Sequence, residues 1–270
     1  RILRTLGIEI LHRTDDPVLS QLLIVRETLR VTPDLPAWKR DYLLANLAAR
    51  AHMQAILDRL AINLVIDVGA NNGQFALGLR TFGYSGRIIS FEPQSALCAS
   101  LRAAAIGDDR WEVQSIALGE TVAELKLNIF RDTSLSSLHA ANTTGRERFP
   151  DYFHLDHTES VSVYPLDDLI ASLRLDDPDA RILLKTDTQG HDLAVLRGAR
   201  TVLARSLAVV TEASIKPIYQ GAPGYGDIIH YLNDAGFSLS GIYPLAHNEH
   251  DMSLIEMDCC FVRPSAFLPR

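Results

Sequence analysis

The stretch that decides the fold is Val65-Ile66-Asp67-Val68-Gly69-Ala70-Asn71-Asn72-Gly73. It begins as a short apolar run, passes directly into glycine-rich residues, and is followed by a predicted helix over 74–82. Strand, glycine loop and helix in this order form the first unit of a doubly wound α/β sheet. In such a sheet, the carboxyl end of the first strand and the amino end of the next helix border the crevice in which ligands bind.

Strands and helices continue to alternate along the rest of the chain. Further strands are predicted at 86–91, 111–118, 124–130, 160–164, 182–186, 207–211, 237–243 and 256–262, and further helices at 95–105, 191–203 and 225–235, with a short one from Asp167. This alternation predicts a mostly parallel sheet. The polar stretch 132–160 interrupts it and is predicted to be a lid or substrate loop, with a plain surface loop as the alternative.

The first 60 residues follow a different pattern. A helix is predicted to start at 34–36, and apolar residues recur at helical spacing from Leu43 to Leu60. We therefore predict an N-terminal helical appendage over 1–60 and an α/β domain over 61–270.

Composition narrows the classes of partner. The 26 Lys and Arg against 33 Asp and Glu give a net charge of -7, which disfavours a protein that neutralises nucleic-acid phosphates. No apolar run reaches the roughly 18 residues of a membrane helix. Cys98, Cys259 and Cys260 show neither a metal-ligand spacing nor an even disulfide framework. We therefore expect a cytoplasmic protein with a small-molecule or sugar-containing partner, while its oligomeric state cannot be read from the sequence.

The glycine loop and the end of the second strand carry candidate ligand-binding residues. The spacing of Gly69, Asn71 and Gly73 differs from the Gly-x-Gly-x-x-Gly fingerprint, which disfavours a pyrophosphate ligand and the alternative of an NAD-dependent dehydrogenase. Asp67 is predicted to bind an ammonium, such as that of S-adenosylmethionine (SAM), directly or through water. Glu92 is predicted to bind ribose hydroxyls. Each carboxylate alone also suits a turn or a solvated strand end, but their register on consecutive strands favours a cofactor site.

Several ordered blocks make the sequence resemble the FkbM-type SAM-dependent methyltransferases. The blocks are VIDVGANNGQF at 65–75, ISFEPQ at 89–94, IALGE at 116–120, PLDDL at 165–169, LLKTDTQGHDLAVLRGA at 183–199, VVTEAS at 209–214 and AGFSL at 235–239. The resemblance covers about residues 63 to 262. It implies a Rossmann-like class I sheet of seven strands with the last one antiparallel, SAM as the methyl donor, and O-methylation of hydroxyls on sugars, glycolipids or related natural products.

The resemblance also implies roles for individual residues. On the cofactor side it places the SAM loop, the ribose carboxylate and the segment beside adenine at Asp67, Gly69, Asn71, Gly73, Glu92, Ile116 and Ala117. One block departs from the family pattern, which is usually Lys-x-Asp-x-Glu-Gly-x-Glu. Here Gln189 stands in place of the first Glu and Asp192 in place of the second. Position 189 therefore supplies no carboxylate for metal ligation or proton transfer.

The chemistry is predicted at the ends of two later strands. Asp187 or His191 is predicted to be the general base that removes a hydroxyl proton, and Glu212 is predicted to orient the acceptor. As an alternative, Asp187, Asp192 and Glu212 together hold Mg²⁺, which prefers oxygen ligands; otherwise no metal ligands are assigned. Because Gln189 departs from the family pattern, a SAM-binding scaffold without turnover is a further alternative.

Overall fold

A computed structural model of the chain describes residues 17–32, 34–248 and 251–267. In chain order the elements are α1 (Pro17–Val31), α2 (Ala37–Arg59), β1 (Leu64–Val68), α3 (Gln74–Thr81), β2 (Arg87–Phe91), α4 (Ser95–Ala104), β3 (Trp111–Gln114), β4 (Ala117–Leu118), β5 (Ala123–Phe130), α5 (Thr143–Arg148), β6 (Leu155–Tyr164), β7 (Ile182–Thr186), α6 (Asp192–Arg197), α7 (Arg200–Arg205), β8 (Ser206–Ser214), α8 (Tyr225–Asp234), β9 (Ser238–His247) and β10 (Leu254–Val262). Short 3-10 turns lie at Thr133–Leu135, Leu166–Leu169 and Pro264–Phe267.

The main sheet has seven strands in the order β3-β2-β1-β7-β8-β10-β9. Strand β10 runs antiparallel to both of its neighbours, β8 and β9, while the pairs from β3 across to β8 are parallel. The predicted α/β class, with a mostly parallel seven-stranded sheet and an antiparallel last strand, is confirmed. The strand order reverses between β1 and β7, which is where a doubly wound sheet opens a crevice.

Apolar side chains cover both faces of this sheet. Strands β1 and β7 are buried along their whole length, as expected for inner parallel strands that read as apolar runs. On one face, Met53 and Ile56 of α2, with Leu60 just after the helix, share a core cluster with Val65 and Leu183. Helix α2 therefore belongs to the packing of the α/β core, and the division into residues 1–60 and 61–270 stays a prediction.

A second, three-stranded sheet, β4-β6-β5, was not predicted. The predicted strand 111–118 divides into β3, which pairs with β2, and β4, which pairs with β6. The predicted polar loop 132–160 contains α5 and the first half of β6. Most of the first six residues of β6 are exposed, and burial begins only at Val161 and Val163. A strand that faces solvent is polar, so its sequence resembles that of a loop.

The predicted helix 191–203 is also divided, into α6 and α7, with Gly198 between them. A Cβ atom at Gly198 would overlap the main-chain oxygen of Gly119. Glycine at position 198 therefore allows the main chain at Gly119 to pack closely against the break between α6 and α7. The three cysteines are buried and free. Across the ranges that the structure describes, no helix is both long enough and apolar enough to cross a membrane.

Candidate active site

The glycine loop lies at the carboxyl end of β1 and touches the end of β7. Gly69 has φ +74°, and a Cβ there would overlap the main-chain oxygen of Asp187. Gly73, at φ 83°, precedes α3, and Asn71 is left-handed at φ 50°. Glycine is required at position 69 because the conformation and the approach of the second loop both exclude a side chain.

Asp67 lies in β1, two residues before Gly69 of the glycine loop, and is fully buried. Its Oδ1 is 3.0 Å from Lys185 Nζ, and its Oδ2 accepts a hydrogen bond from Ser90 Oγ at 3.2 Å. Burial acts to lower the pKa of Lys185, but the charges of Asp67 and Asp187 outweigh it and raise that pKa above its ordinary value. The structure thus pairs Asp67 with an ammonium of the chain itself.

Glu92 follows β2 and holds the glycine loop by main-chain contacts. Its two carboxylate oxygens accept hydrogen bonds from the N–H groups of Asn71 and Gln94, each at 2.8 Å. Burial raises the pKa of Glu92, and these two hydrogen bonds oppose that rise. Gln94 is 4% exposed, and its Oε1 is buried with no hydrogen-bond partner. A buried acceptor of this kind is suited to a ligand donor.

One cavity of about 640 Å³ joins these residues to the ends of the later strands. Of the predicted cofactor residues, its walls include Gly69, Asn71, Glu92, Ile116 and Ala117, whereas Asp67 and Gly73 lie behind them. The opposite wall comes from α2, β9 and β10, with Tyr42, Asn46, Met53, Tyr243, Glu256 and Asp258. Residues 133–138 also line the cavity, and they belong to a segment, 131–142, that we call the flap.

Asp187 lines the cavity directly after β7, which lies between β2 and β10 in the sheet. Its side chain is 42% exposed, and its Oδ2 is 3.8 Å from Lys185 Nζ. Its Oδ1 accepts a hydrogen bond from Gln189 Nε2 at 3.2 Å, and the same nitrogen donates to Glu212 Oε2 at 2.9 Å. Glu212 is buried and does not line the cavity. The structure thus places both predicted carboxylates beside one amide.

Strand β10 adds two carboxylates that sequence reasoning missed. Asp258 is the register partner of Glu212, and Glu256 is the register partner of Ser214. Burial raises the pKa of Glu256 and of Asp258 to about 7 each. Burial, followed by the charge of Glu256, also raises the pKa of Glu212 well above its ordinary value. The only sequence signal was Glu and Asp at alternate positions in an otherwise apolar strand.

His191 is in contact with a second histidine, His139. Its Nδ1 is 3.0 Å from His139 Nε2, and His139 Nδ1 is 3.1 Å from the carbonyl oxygen of Gln220. Because a carbonyl only accepts, His139 Nδ1 carries a proton, and neutral His139 accepts at Nε2 from His191. Burial, followed by the nearby His139, lowers the pKa of His191 to about 4. His191 is therefore a weak base at neutral pH.

Comparison with known proteins agrees with this geometry. Residues 67–239, more than half of the chain, match the family described as the methyltransferase FkbM domain. The chain belongs to the FkbM family of SAM-dependent methyltransferases. Among proteins with curated functions, none matches the chain.

The fold of this FkbM family member is similar to that of two solved methyltransferases. One is magnesium protoporphyrin IX methyltransferase (ChlM) from Synechocystis PCC 6803 with bound SAM, at 11% identity and a TM-score of 0.44, over 93% of this chain and 99% of that one. The other is precorrin-6y C5,15-methyltransferase from Geobacter metallireducens GS-15, at 13% identity and a TM-score of 0.40, over 80% and 88%. At these values nothing about substrate carries over.

The predicted Mg²⁺ alternative finds no support in this FkbM family member. Its proposed ligands were Asp187, Asp192 and Glu212, but Asp192 Oδ1 instead accepts a hydrogen bond from the N–H of Thr188 at 3.1 Å. The amide of Gln189 stands between the other two carboxylates. Within the described part of the chain, no three His, Cys, Asp or Glu side chains are grouped to hold a metal ion.

Proposed function

We propose that this protein is an O-methyltransferase that transfers the methyl group of SAM to a hydroxyl of a sugar, or of a natural-product or glycolipid acceptor. One observation carries the proposal: a single cavity is lined by Glu92 and Ile116, by Asp187 and by Asp258, and the sheet order places β7, which Asp187 follows, between β2 and β10. A donor and an acceptor that occupy its two ends would meet at Asp187. Such alignment of reactants contributes up to about 7 to 11 kcal/mol to catalysis.

The residues at the Glu92 end suit SAM. Glu92 has lone pairs left for ribose hydroxyls, Ile116 and Ala117 offer an apolar surface for adenine, and the buried Oε1 of Gln94 lacks a donor. SAM supplies an electrophilic methyl group on a sulfonium sulfur. Asp67, already paired with Lys185, would act on the donor through that lysine and the glycine loop, because Lys185 Nζ donates to the carbonyl oxygen of Gly69 at 2.9 Å.

Asp187 is the better placed of the two proposed bases. It lines the cavity, its side chain is partly exposed, and its second oxygen is free of the Gln189 hydrogen bond. His191 also lines the cavity, but its Nδ1 is engaged by His139, and a Cβ built at Gly119 would lie 2.9 Å from its Nε2. We propose that Asp187 accepts the hydroxyl proton and that His191 supports the loop.

The far end of the cavity suits an acceptor rich in hydroxyls. Carboxylates accept hydrogen bonds from hydroxyl groups, and Asp187, Glu256 and Asp258 all face this space. Tyr42 and Tyr243 add aromatic surface from the opposite walls. Carboxyl groups beside aromatic rings suit a polyol ring, because its hydroxyls can hydrogen-bond to the carboxyls and its apolar C–H faces can pack on the aromatic rings.

Calorimetric titration with S-adenosylhomocysteine (SAH), followed by transfer of labelled methyl from SAM to a panel of sugars, glycolipid fragments and hydroxylated natural products, tests the proposal. We expect Asp187→Asn to lose methyl transfer by about 10²- to 10⁴-fold while SAH affinity stays within about twofold. Asp109→Asn, at an exposed turn, is the matched control. Failure of the parent protein to bind SAH would overturn the proposal. SAH binding without transfer to any acceptor would favour the scaffold alternative, and binding of NADH would favour the dehydrogenase.

A further inference from the structure

Both polar groups of the Gln189 side chain make hydrogen bonds. Its Nε2 donates to Asp187 Oδ1 at 3.2 Å and to Glu212 Oε2 at 2.9 Å. Its Oε1 accepts from the hydroxyl of Tyr219 at 2.7 Å, and its main-chain oxygen accepts from Ser137 Oγ at 2.6 Å. Its backbone is left-handed at φ 53°, which a residue with a Cβ rarely adopts. A strained residue with all its groups satisfied is a feature of functional sites.

The amide is matched to the two carboxylates that it bridges. A carboxylate at position 189 could not donate to either neighbour unless it bound a proton, and ionised it would repel both. An amide carries two N–H donors whatever the pH. Gln189 therefore holds Asp187 and Glu212 in a fixed arrangement without adding a charge to an already acidic site.

The same residue also contacts the flap. The hydroxyl of Tyr219 lies 2.8 Å from the carbonyl oxygen of Leu135 in the flap and 2.7 Å from Gln189 Oε1. The two acceptor oxygens share the single hydroxyl proton, so Tyr219 joins the flap to the amide. Ser137, also in the flap, reaches the main chain of Gln189 directly.

We propose that Gln189 is a positioning residue that links the position of the flap to the orientation of Asp187 and Glu212. The inference rests on the proposed function, in which Asp187 removes the acceptor proton. When the flap lies over the cavity, Tyr219 fixes the amide oxygen of Gln189, and the amide nitrogen then fixes both carboxylates. The base is thus aligned only when the cavity is covered.

The charged and titratable groups around this link come from five parts of the chain. They are Lys185 and Asp187 at the end of β7, Asp192 of α6, Glu212 of β8, Glu256 and Asp258 of β10, and Asp132 and His139 of the flap with the neighbouring His191. Most are acidic, so the loss of the Gln189 donors or the addition of a carboxylate favours proton uptake by Glu212.

Two nearly isosteric variants change the link at different contacts, one at Gln189 and one at Tyr219. Gln189→Glu keeps an acceptor for Tyr219 but removes the donors to the two carboxylates, so we expect the pKa of Glu212 to rise by at least about one unit. Amide exchange at flap residues 135–137 should stay within about twofold. Tyr219→Phe removes the hydroxyl that contacts both Leu135 and Gln189, so we expect flap amides to exchange about five- to tenfold faster. Because Tyr219 fixes the amide that holds Glu212, we also expect the pKa of Glu212 to rise in this variant.

Carboxyl ¹³C NMR titration and amide hydrogen exchange of the full chain measure these two effects, with Asn233→Asp, an exposed amide on α8, as the matched control. A rise in the pKa of Glu212 together with faster flap exchange in Tyr219→Phe supports the link, because a change made beside the flap then reaches Glu212 through Gln189. Faster flap exchange with an unchanged pKa of Glu212 in that variant, or no change in either readout, would overturn it. Gln189→Met, which removes both functions, should show both effects. Neither readout needs SAH, so failure of the parent protein to bind SAH would refute the proposed function separately.

Discussion

Replacing Lys185 by Met tests whether Asp67 is held by the chain or is open to a ligand. The substitution keeps the length of the side chain but leaves the Asp67 carboxylate, which is 0% exposed, without the ammonium 3.0 Å away. Removing one partner of a buried ion pair costs about 3 to 5 kcal/mol. That is a large part of the roughly 5 to 15 kcal/mol by which a typical domain is stable.

Urea unfolding at pH 7 to 8 measures this loss. The pKa of Lys185 is raised in the folded protein above its ordinary value of 10.5, chiefly by Asp67 and Asp187 against the effect of burial. Its stabilising contribution is therefore fully present below about pH 10.5 and is lost only as the pH rises through the folded pKa. The double variant Asp67→Asn with Lys185→Met removes both charges, and we expect it to regain at least about half of the lost free energy of unfolding.

SAH titration of the same double variant decides the role of Asp67. Lys185 lines the cavity and Asp67 does not, so we expect the double variant and Lys185→Met to bind SAH with affinities within about threefold of each other. If stability returns but the double variant binds SAH more than about a hundredfold more weakly than Lys185→Met, our argument is refuted, and Asp67 is a direct ligand of the donor as the sequence predicts. If the double variant is as unstable as Lys185→Met, then the pair is not the source of the loss.

Three further predictions follow from single contacts. Glu92→Gln should weaken SAH binding by about 10- to 100-fold, because hydrogen bonds to a charged carboxylate are lost; unchanged affinity in a calorimetric titration would contradict its ribose role. Gly69→Ala should cost more than about 3 kcal/mol, since its Cβ overlaps the oxygen of Asp187, whereas Gly107→Ala, also at positive φ but in open space, should cost only about 1 to 2 kcal/mol; equal losses in urea unfolding would refute the overlap argument. Burial raises the pKa of Glu256 to about 7, so the folded protein keeps a proton that the unfolded chain loses near pH 4.5. Stability should therefore fall as the pH rises from about 4.5 to about 7, and this slope should be flatter in Glu256→Gln.

The main sheet could be predicted because its inner strands are short, mostly apolar runs and the first of them ends at the glycine loop. Strands β1 and β7 are buried on both sides, and their polar residues Asp67, Lys185 and Thr186 lie only at their carboxyl ends. The small sheet could not be predicted in the same way. Its strand β6 is mostly exposed, and the single predicted strand 111–118 serves two sheets. Pairings between strands that are distant in sequence determine such elements, and no local pattern records them.

The sequence predicted more of the residues that line the cavity near Glu92 than of those that line it near Asp258. Gly69 and Glu92 directly follow consecutive strands, and the ends of parallel strands meet at one edge of the sheet. Glu256 and Asp258 belong to a strand that enters between β8 and β9. Their nearness to Glu212 depends on the sheet order, which the sequence does not state. The pairing of Asp67 with Lys185 could not be predicted either, because Lys185 lies on a strand more than a hundred residues later.

The departure at position 189 is better explained by the geometry than by loss of function. A neutral amide beside Asp187 and Glu212 would be costly if its donors or its acceptor were buried without partners. Instead, Gln189 finds an acceptor for each N–H and a donor for its oxygen. A family member with Glu at this position would need a bound proton or a cation to make the same bridge between Asp187 and Glu212. Gln189 makes it permanently, so the substitution changes how the carboxylates are held while leaving Asp187 free to accept a proton.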